Sequence, residues 1–209
     1  VYSLYAHLSA IEVRKGQALS QGDSLGTLGY TGNGLNRDRA HLHLELGIIF
    51  SSRFTPWHDK YFTDTNHHGN YNGMNIAGLD VASFLIAKRK NQTLTIPDFV
   101  SSIPAHYRVT IPRNQIRKGA PELLKHYPWM LKGEYNRETP SFEISFSASG
   151  FPISISPSKR VVTAPTLSWV RECRSKHEHH TKGFISGTGK NASLSKSGRR
   201  FIDLVCGQF

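Results

Sequence analysis

Polar and apolar residues alternate through much of the first 50 positions. From Val1 to Leu8, the side chains of Leu4, Ala6 and Leu8 fall on one face of an extended chain. Ser3, Tyr5 and His7 fall on the other. Two similar turn units follow, Lys15-Gly16-Gln17-Ala18-Leu19 and Gln21-Gly22-Asp23-Ser24-Leu25, each placing a glycine and a polar residue before a strand-like step, as in short hairpins. Gly26, Gly29, Gly32 and Gly34 punctuate the next stretch, where left-handed backbone angles are expected. Asn33 to Arg39 reads as a polar surface loop. The run His41-Leu42-His43-Leu44-Glu45-Leu46 alternates again, with His41, His43 and Glu45 on one face and the leucines on the other. This pattern predicts antiparallel β structure.

The texture changes after Phe50. Residues 51–77 are rich in Asn, Gly, His and aromatics and read as a long structured loop. Asp80 is placed to cap a helix reaching about Lys90, with Val81, Phe84, Leu85 and Lys88 at helical spacing. Pro97 to Ile103 predicts a short proline-started helix, and Pro121 to Leu131 a third, interrupted at Pro128. Phe142 to Phe146 and Pro152 to Ile155 alternate like hairpin strands joined at Ser149-Gly150, and Val161 to Val170 adds a further strand. Phe201 to Val205 reads as a strand or a short helix. The fold class expected is mainly β, an antiparallel sheet over residues 1–50, with an α+β C-terminal extension over 51–209 that packs on the sheet.

Charge sharpens this division. The 209 residues hold 26 Lys plus Arg against 15 Asp plus Glu, a net charge of +11. Residues 1–60 are nearly neutral, whereas the rest carry almost all of the excess. Lys159 to Arg200 contains only two acids, Glu172 and Glu178. A neutral first part joined to a basic second part suggests contact with a polyanion: nucleic acid, anionic lipid or an acidic cell-wall polymer. A basic surface that merely solubilises the chain accounts for the same count. With 38% hydrophobic and 20% charged residues, disorder throughout is excluded. The longest apolar runs, Leu44 to Phe50 and Gly78 to Ala87, are too short for a transmembrane segment.

The chemistry concentrates in the first 50 residues. Two imidazoles on one strand face, opposite a leucine face that explains itself as core, need a reason, since strands favour β-branched and aromatic residues. Neutral imidazole is the commonest metal ligand and a general base near neutral pH. The ordered string Tyr5-Ala6-His7-Leu8, Lys15-Gly16-Gln17, Gly22-Asp23, Gly29-Tyr30-Thr31-Gly32 and His41-Leu42-His43-Leu44-Glu45-Leu46 resembles the lysostaphin/LytM-type zinc endopeptidases that cut peptidoglycan peptides. The resemblance covers residues 1–50, the C-terminal part of such a peptidase domain.

Carried over residue by residue, the resemblance makes His43 a zinc ligand, His41 the neighbouring catalytic histidine, and His7 a second catalytic histidine. It implies peptidoglycan or another peptide as substrate and an extracytoplasmic bacterial setting, and the charge of the extension adds an anionic cell-wall polymer as its expected partner. Two departures stand out. Asn36-Arg37-Asp38-Arg39-Ala40 replaces the usual step before His-Leu-His, and the usual Phe after it is Leu44. The family's other two zinc ligands form a His-x-x-x-Asp motif several strands before the Tyr-Ala-His-Leu strand, and one histidine falls short of the three protein ligands of a catalytic site.

Three explanations are carried forward. Because Val1 opens in the middle of that family's sheet, the first expectation is an N-terminal segment of the same precursor that supplies the missing pair. Alternatively, donors come from His67-His68 or His177-Glu178-His179-His180, although their polar, Gly/Lys-rich contexts read better as solvated loops. The third is a metal-free LytM-like module that binds the wall or regulates another hydrolase. Biotinyl and lipoyl carriers share the Gly-Gln and Gly-Asp turns, but no lysine lies between Lys15 and Lys60. Nucleic acid is an unlikely partner, because no RNA-binding aromatic motif accompanies the charge. Gly187-Thr188-Gly189-Lys190 lacks the spacing of a phosphate loop. Cys173 and Cys206, the two cysteines, are open to pairing or to standing as two free thiols.

Overall fold

The computed structural model describes residues 1–116 and 119–209. Antiparallel pairing dominates it, with helices packed around the second half of the chain. Strands β1 (Tyr2–Ala6), β4 (His43–Ile49) and β5 (Ile76–Gly78) form one sheet in the order β1-β4-β5. Strands β2 (Leu8–Ile11) and β3 (Gly26–Leu28) form a separate ribbon. A four-stranded sheet has the order β8-β7-β6-β9, from β6 (Tyr107–Pro112), β7 (Ser141–Phe146), β8 (Pro152–Ser158) and β9 (Thr166–Val170). Short β10 (Ile185–Ser186) and β11 (Ser193–Leu194) pair with each other.

The four-stranded sheet shows how alternation makes a core. Facing residues on β6 and β7 pair as Tyr107 with Phe146, Val109 with Ile144 and Ile111 with Phe142, and Ile144 meets Ile155 on β8. All seven are fully buried. Burial of side chains this size stabilises by roughly 1.5–3 kcal/mol each. The opposite face is polar at its centre: Arg108 lies 3.8 Å from Glu143, stacks over Trp169, and Ser168 donates to Glu143. Helix α5 (Lys196–Cys206) closes the core, with Phe201 against both Phe50 and Phe146.

The three helices expected before residue 131 are present. Asp80 caps α2 (Val81–Lys90), and Thr95 with Asp98 forms a reciprocal capping box on α3 (Ile96–Ser102). Helix α4 (Glu122–His126) is followed, beyond Tyr127, by a 3-10 turn at Pro128–Met130, so the proline does divide the segment. The hairpin joined at Ser149-Gly150 is β7–β8, with Gly150 at φ 85°.

Other expectations need correction. Residues 51–77 are not a loop throughout: α1 (Phe54–Tyr61) presents Phe54, Trp57, His58 and Tyr61 at helical spacing, the first three buried. Pro56 and the absence of a side-chain cap on Arg53 hid it. The run from Val161 is strand only over Thr166–Val170, and the segment around 201–205 is the helix α5. Gly198 inside α5 obscures the helical pattern, but a Cβ there would stand 2.1 Å from the Phe184 carbonyl oxygen, so packing excludes a side chain. The two early turn units are not hairpins of their own; both lie in the single connection between β2 and β3. Gly32 and Gly34 have positive φ, whereas Gly26 and Gly29 are small because the paired backbone comes close. Cys173 is half-buried, Cys206 is buried, and both are free thiols.

Strand β4 joins the two halves. Its first part pairs with β1 and its last part with β5, which comes from beyond residue 75. Gly47 makes this possible, since a Cβ there would meet the Ala77 carbonyl oxygen at 2.3 Å and the Tyr2 hydroxyl at 2.9 Å. From Ile48 onward the chain enters the main core.

Candidate metal centre

The expected strand from Val1 to Leu8 is broken at its most interesting residue. His7 has φ 65°, a left-handed conformation unusual for a residue with a side chain, and separates β1 from β2. The break turns His7 out of the strand's alternation. Its ring is then fixed by the loop that carries Gly29-Tyr30-Thr31-Gly32: Nδ1 lies 2.6 Å from the Thr31 carbonyl oxygen, and Thr31 Oγ1 donates to the Leu8 carbonyl at 3.0 Å. A Cβ on Gly32 would sit 3.1 Å from His7 Nδ1, so glycine lets that loop approach the imidazole.

His41 and His43 are placed by different devices. Strand β4 begins at His43, so His41 stands just ahead of the ladder, and both rings lie against that of His7. His41 follows a 3-10 turn at Arg37–Arg39, capped by the Asn36 side chain, which accepts from the Arg39 amide at 3.2 Å. Its Nδ1 reaches back 2.8 Å to the Arg39 carbonyl oxygen. His43 faces Ala6 across the β1–β4 ladder, and its Nε2 lies 2.9 Å from Glu45 Oε1, the next residue on the same strand face. Glu45 in turn accepts from the Tyr2 hydroxyl at 3.1 Å. Burial first, and the Glu45 carboxylate second, hold the Tyr2 hydroxyl well above its ordinary pKa, so it remains a donor.

These three rings converge. The His7 ring centroid is 4.9 Å from that of His41 and 5.5 Å from that of His43. One ligand atom from each lies within 4.8 Å of those from the other two, and among the described residues this is the group with such geometry. Carbonyl oxygens only accept, so His7 and His41 carry their proton on Nδ1 and keep a lone pair on Nε2. A carboxylate likewise takes the His43 proton from Nε2 and leaves Nδ1 free. Each imidazole therefore has one nitrogen committed to an oxygen and one available to a cation or a proton, the arrangement that orients metal-bound histidines. Imidazoles so held on a solvent-accessible surface offer both a ligand for a zinc-type cation and groups that handle protons beside it.

Residues 1–53 match the family model described as Peptidase family M23. Over that stretch the chain is similar to M23 peptidases. The match spans 53 of 209 residues and ends just before α1. No curated protein and no solved structure matches the chain. Within the matched residues lie all three converging histidines, together with Tyr2, Thr31 and Glu45.

The other histidine clusters stand apart. His67 and His68 are exposed beside a 3-10 turn. His177 is buried, with Nδ1 3.3 Å from Cys173 Sγ, and its ring lies 6.5 Å from that of His106. Neither cluster belongs to the three-imidazole group among the described residues. Sequence reasoning did not find Tyr2 or the Arg39 carbonyl as supports, because one acts from the neighbouring strand and the other through backbone. Thr31 was signalled only by its position in the Gly-x-Thr-Gly loop.

Proposed function

We propose that this chain is part of a zinc-dependent endopeptidase that hydrolyses peptide cross-links of peptidoglycan in the bacterial cell envelope. In this reading His43 is a zinc ligand, and two further ligands, a His-x-x-x-Asp pair, come from a segment that precedes Val1 in the same precursor. The observation that carries the reading is the convergence of His7, His41 and His43, each with its second ring nitrogen tied to a backbone carbonyl or a carboxylate. The M23 match over the same residues supports it.

Zinc in such a site supplies Lewis acidity to the scissile carbonyl and acidity to the attacking water. The chain's own groups handle the protons. His41 Nε2 accepts a proton from the water as it attacks, and the Arg39 carbonyl stabilises the imidazolium that results. The same nitrogen then returns the proton to the departing amine, without which the amide nitrogen is a poor leaving group. His7, held by Thr31, accepts a hydrogen bond from the attacking water when neutral and donates one to the tetrahedral oxygen when protonated. The exposed setting of His41 and His43 suits a substrate too large to be enclosed. The basic extension, which holds most of the net charge of +11, would keep the protein near an anionic wall polymer.

The test uses the protein with its preceding segment. One zinc per chain and release of free amines from purified sacculi are expected. His43→Ala is expected to lose the zinc, whereas His41→Ala keeps it and loses cleavage by about 10²–10⁴-fold. Normal cleavage by the His41→Ala protein would overturn the assignment of roles. A folded, zinc-free protein that binds sacculi without cutting them would replace the enzyme by a wall-binding module.

A further inference from the structure

A second concave site is lined by residues from Phe50 to Phe201. Phe50, one of its walls, is seven residues beyond His43, about 23 Å of extended chain at ~3.3 Å per residue. The cavity measures about 370 Å³ and is bounded by α1, the segment around β5, the β7–β8 turn and the start of α5. That volume lies in the range of small-molecule pockets. Its floor is aromatic and rigid: the Phe184 and Phe201 rings stack 4.4 Å apart, and Phe201 packs on Phe50 at 5.1 Å. Trp57 is fixed as a wall by its indole N–H, which donates to the Arg200 carbonyl at 2.8 Å.

The rim differs in kind. Its charged residues are Lys182 and Arg200, and no carboxylate lines the cavity. Among the described residues neither cation forms an ion pair. Arg200 is held with its guanidinium over the rings of Tyr61 and Phe62, at 5.1 and 5.7 Å. Lys182 has φ 52°, an uncommon conformation for a lysine. Two serine hydroxyls hold the turn that imposes it: Ser195 and Ser197 donate to the Gly183 carbonyl at 2.6 and 2.9 Å. An apolar floor alone would suit a neutral hydrocarbon, and two cations alone would suit any anion. The combination selects a molecule that is both.

We infer that this cavity binds an amphipathic carboxylate, its acyl chain on the aromatic floor and its carboxylate between Lys182 and Arg200. The inference does not depend on the peptidase reading, and its test does not involve the imidazole cluster. Decanoate is the probe, titrated into the whole chain by calorimetry and by tryptophan fluorescence, to which Trp57 in the cavity wall contributes beside Trp129 and Trp169. One decanoate per chain is expected, with decylamine, which has the same tail and the opposite charge, at least about tenfold weaker.

Two variants separate floor from rim. Gly73 borders the cavity without a positive φ, and a Cβ there meets nothing within 4 Å. Gly73→Phe is therefore expected to fill the mouth and abolish binding. Lys182→Asn tolerates the left-handed backbone and removes the charge, and is expected to weaken decanoate about tenfold while leaving decylamine no weaker. Thermal unfolding of both variants checks that they fold, and should one fail, the other still decides. Absence of decanoate binding overturns the inference. So does equal affinity for decylamine, or unchanged binding by a folded variant.

Discussion

Residues 1–46 and residues 47–209 are stabilised in different ways. In the first part Gly29 is the buried position among the described residues, and Leu4, Tyr5, Ile11, Leu28 and Leu42 are exposed. From Gly47 onward, buried side chains recur in nearly every element and join one continuous core. The first part is thus organised by strand ladders and local hydrogen bonds, such as those from Ser24 and Thr27 to Glu12. The remainder is organised by apolar burial. Strand β4 belongs to both, with His43 at its beginning and Ile48 near its end. The difference teaches that positioning of the imidazoles and stability of the chain are separable properties here. Substitutions in the first part should change chemistry with little effect on folding, and those in the second should do the reverse.

The sharpest way to break this comparison is a matched pair of truncations. Ile144→Ala, fully buried at the centre of the four-stranded sheet, is expected to destabilise by about 2–5 kcal/mol. Leu4→Ala, 38% exposed on β1, is expected to change stability by less than about 0.5 kcal/mol. Urea unfolding of both decides it, and equal losses would show that the first part shares the core after all. Next in size is Glu45→Gln, which weakens the support under His43. Zinc affinity in the protein with its preceding segment should fall by about 10–100-fold, with the unfolding midpoint unchanged.

Smaller effects sharpen the picture of the second part. Ser195 caps α5 by accepting from the Gly198 amide, so Ser195→Ala should lower stability by about 1 kcal/mol. Calorimetric unfolding would show it. The smallest expected effect is a pH dependence at Glu122. Burial raises its pKa, but hydrogen bonds from Ser52 and then Ser51 outweigh this, and the carboxyl lies below its ordinary value of 4.5. A depressed folded-state pKa gives stability that is fully present above the ordinary glutamate value and lost as pH falls through the folded one. Urea midpoints measured from pH 6 downward should therefore decline, and Glu122→Gln should flatten part of that decline.

Much of the local structure was legible because the signals were short-range. Asp80 before Val81, Thr95 three residues before Asp98, and the proline at 128 each act within one helical turn, and each marked a real boundary. Strand β6 escaped notice although it is central to its sheet. Its run Tyr107-Arg108-Val109-Thr110-Ile111-Pro112 ends in proline, and Thr110 is buried beside its apolar neighbours, which blurs the alternation. Helix α5 was obscured by Gly198, whose reason is the distant carbonyl of Phe184. In both cases the deciding neighbour lay outside any local window.

The sequence by itself determined that the first 50 residues hold antiparallel β structure bearing three histidines in a pattern similar to that of M23 peptidases, because alternation and turn residues act over a few positions. Only the tertiary structure decided how those histidines meet. A left-handed turn at His7, a capped 3-10 turn before His41 and the β1–β4 register bring the rings together, with Thr31, Arg39 and Glu45 fixing the protonated nitrogen of each. Convergence of groups 34 and 36 positions apart in the chain depends on strand pairing and loop approach, and those are set by contacts that no periodicity records.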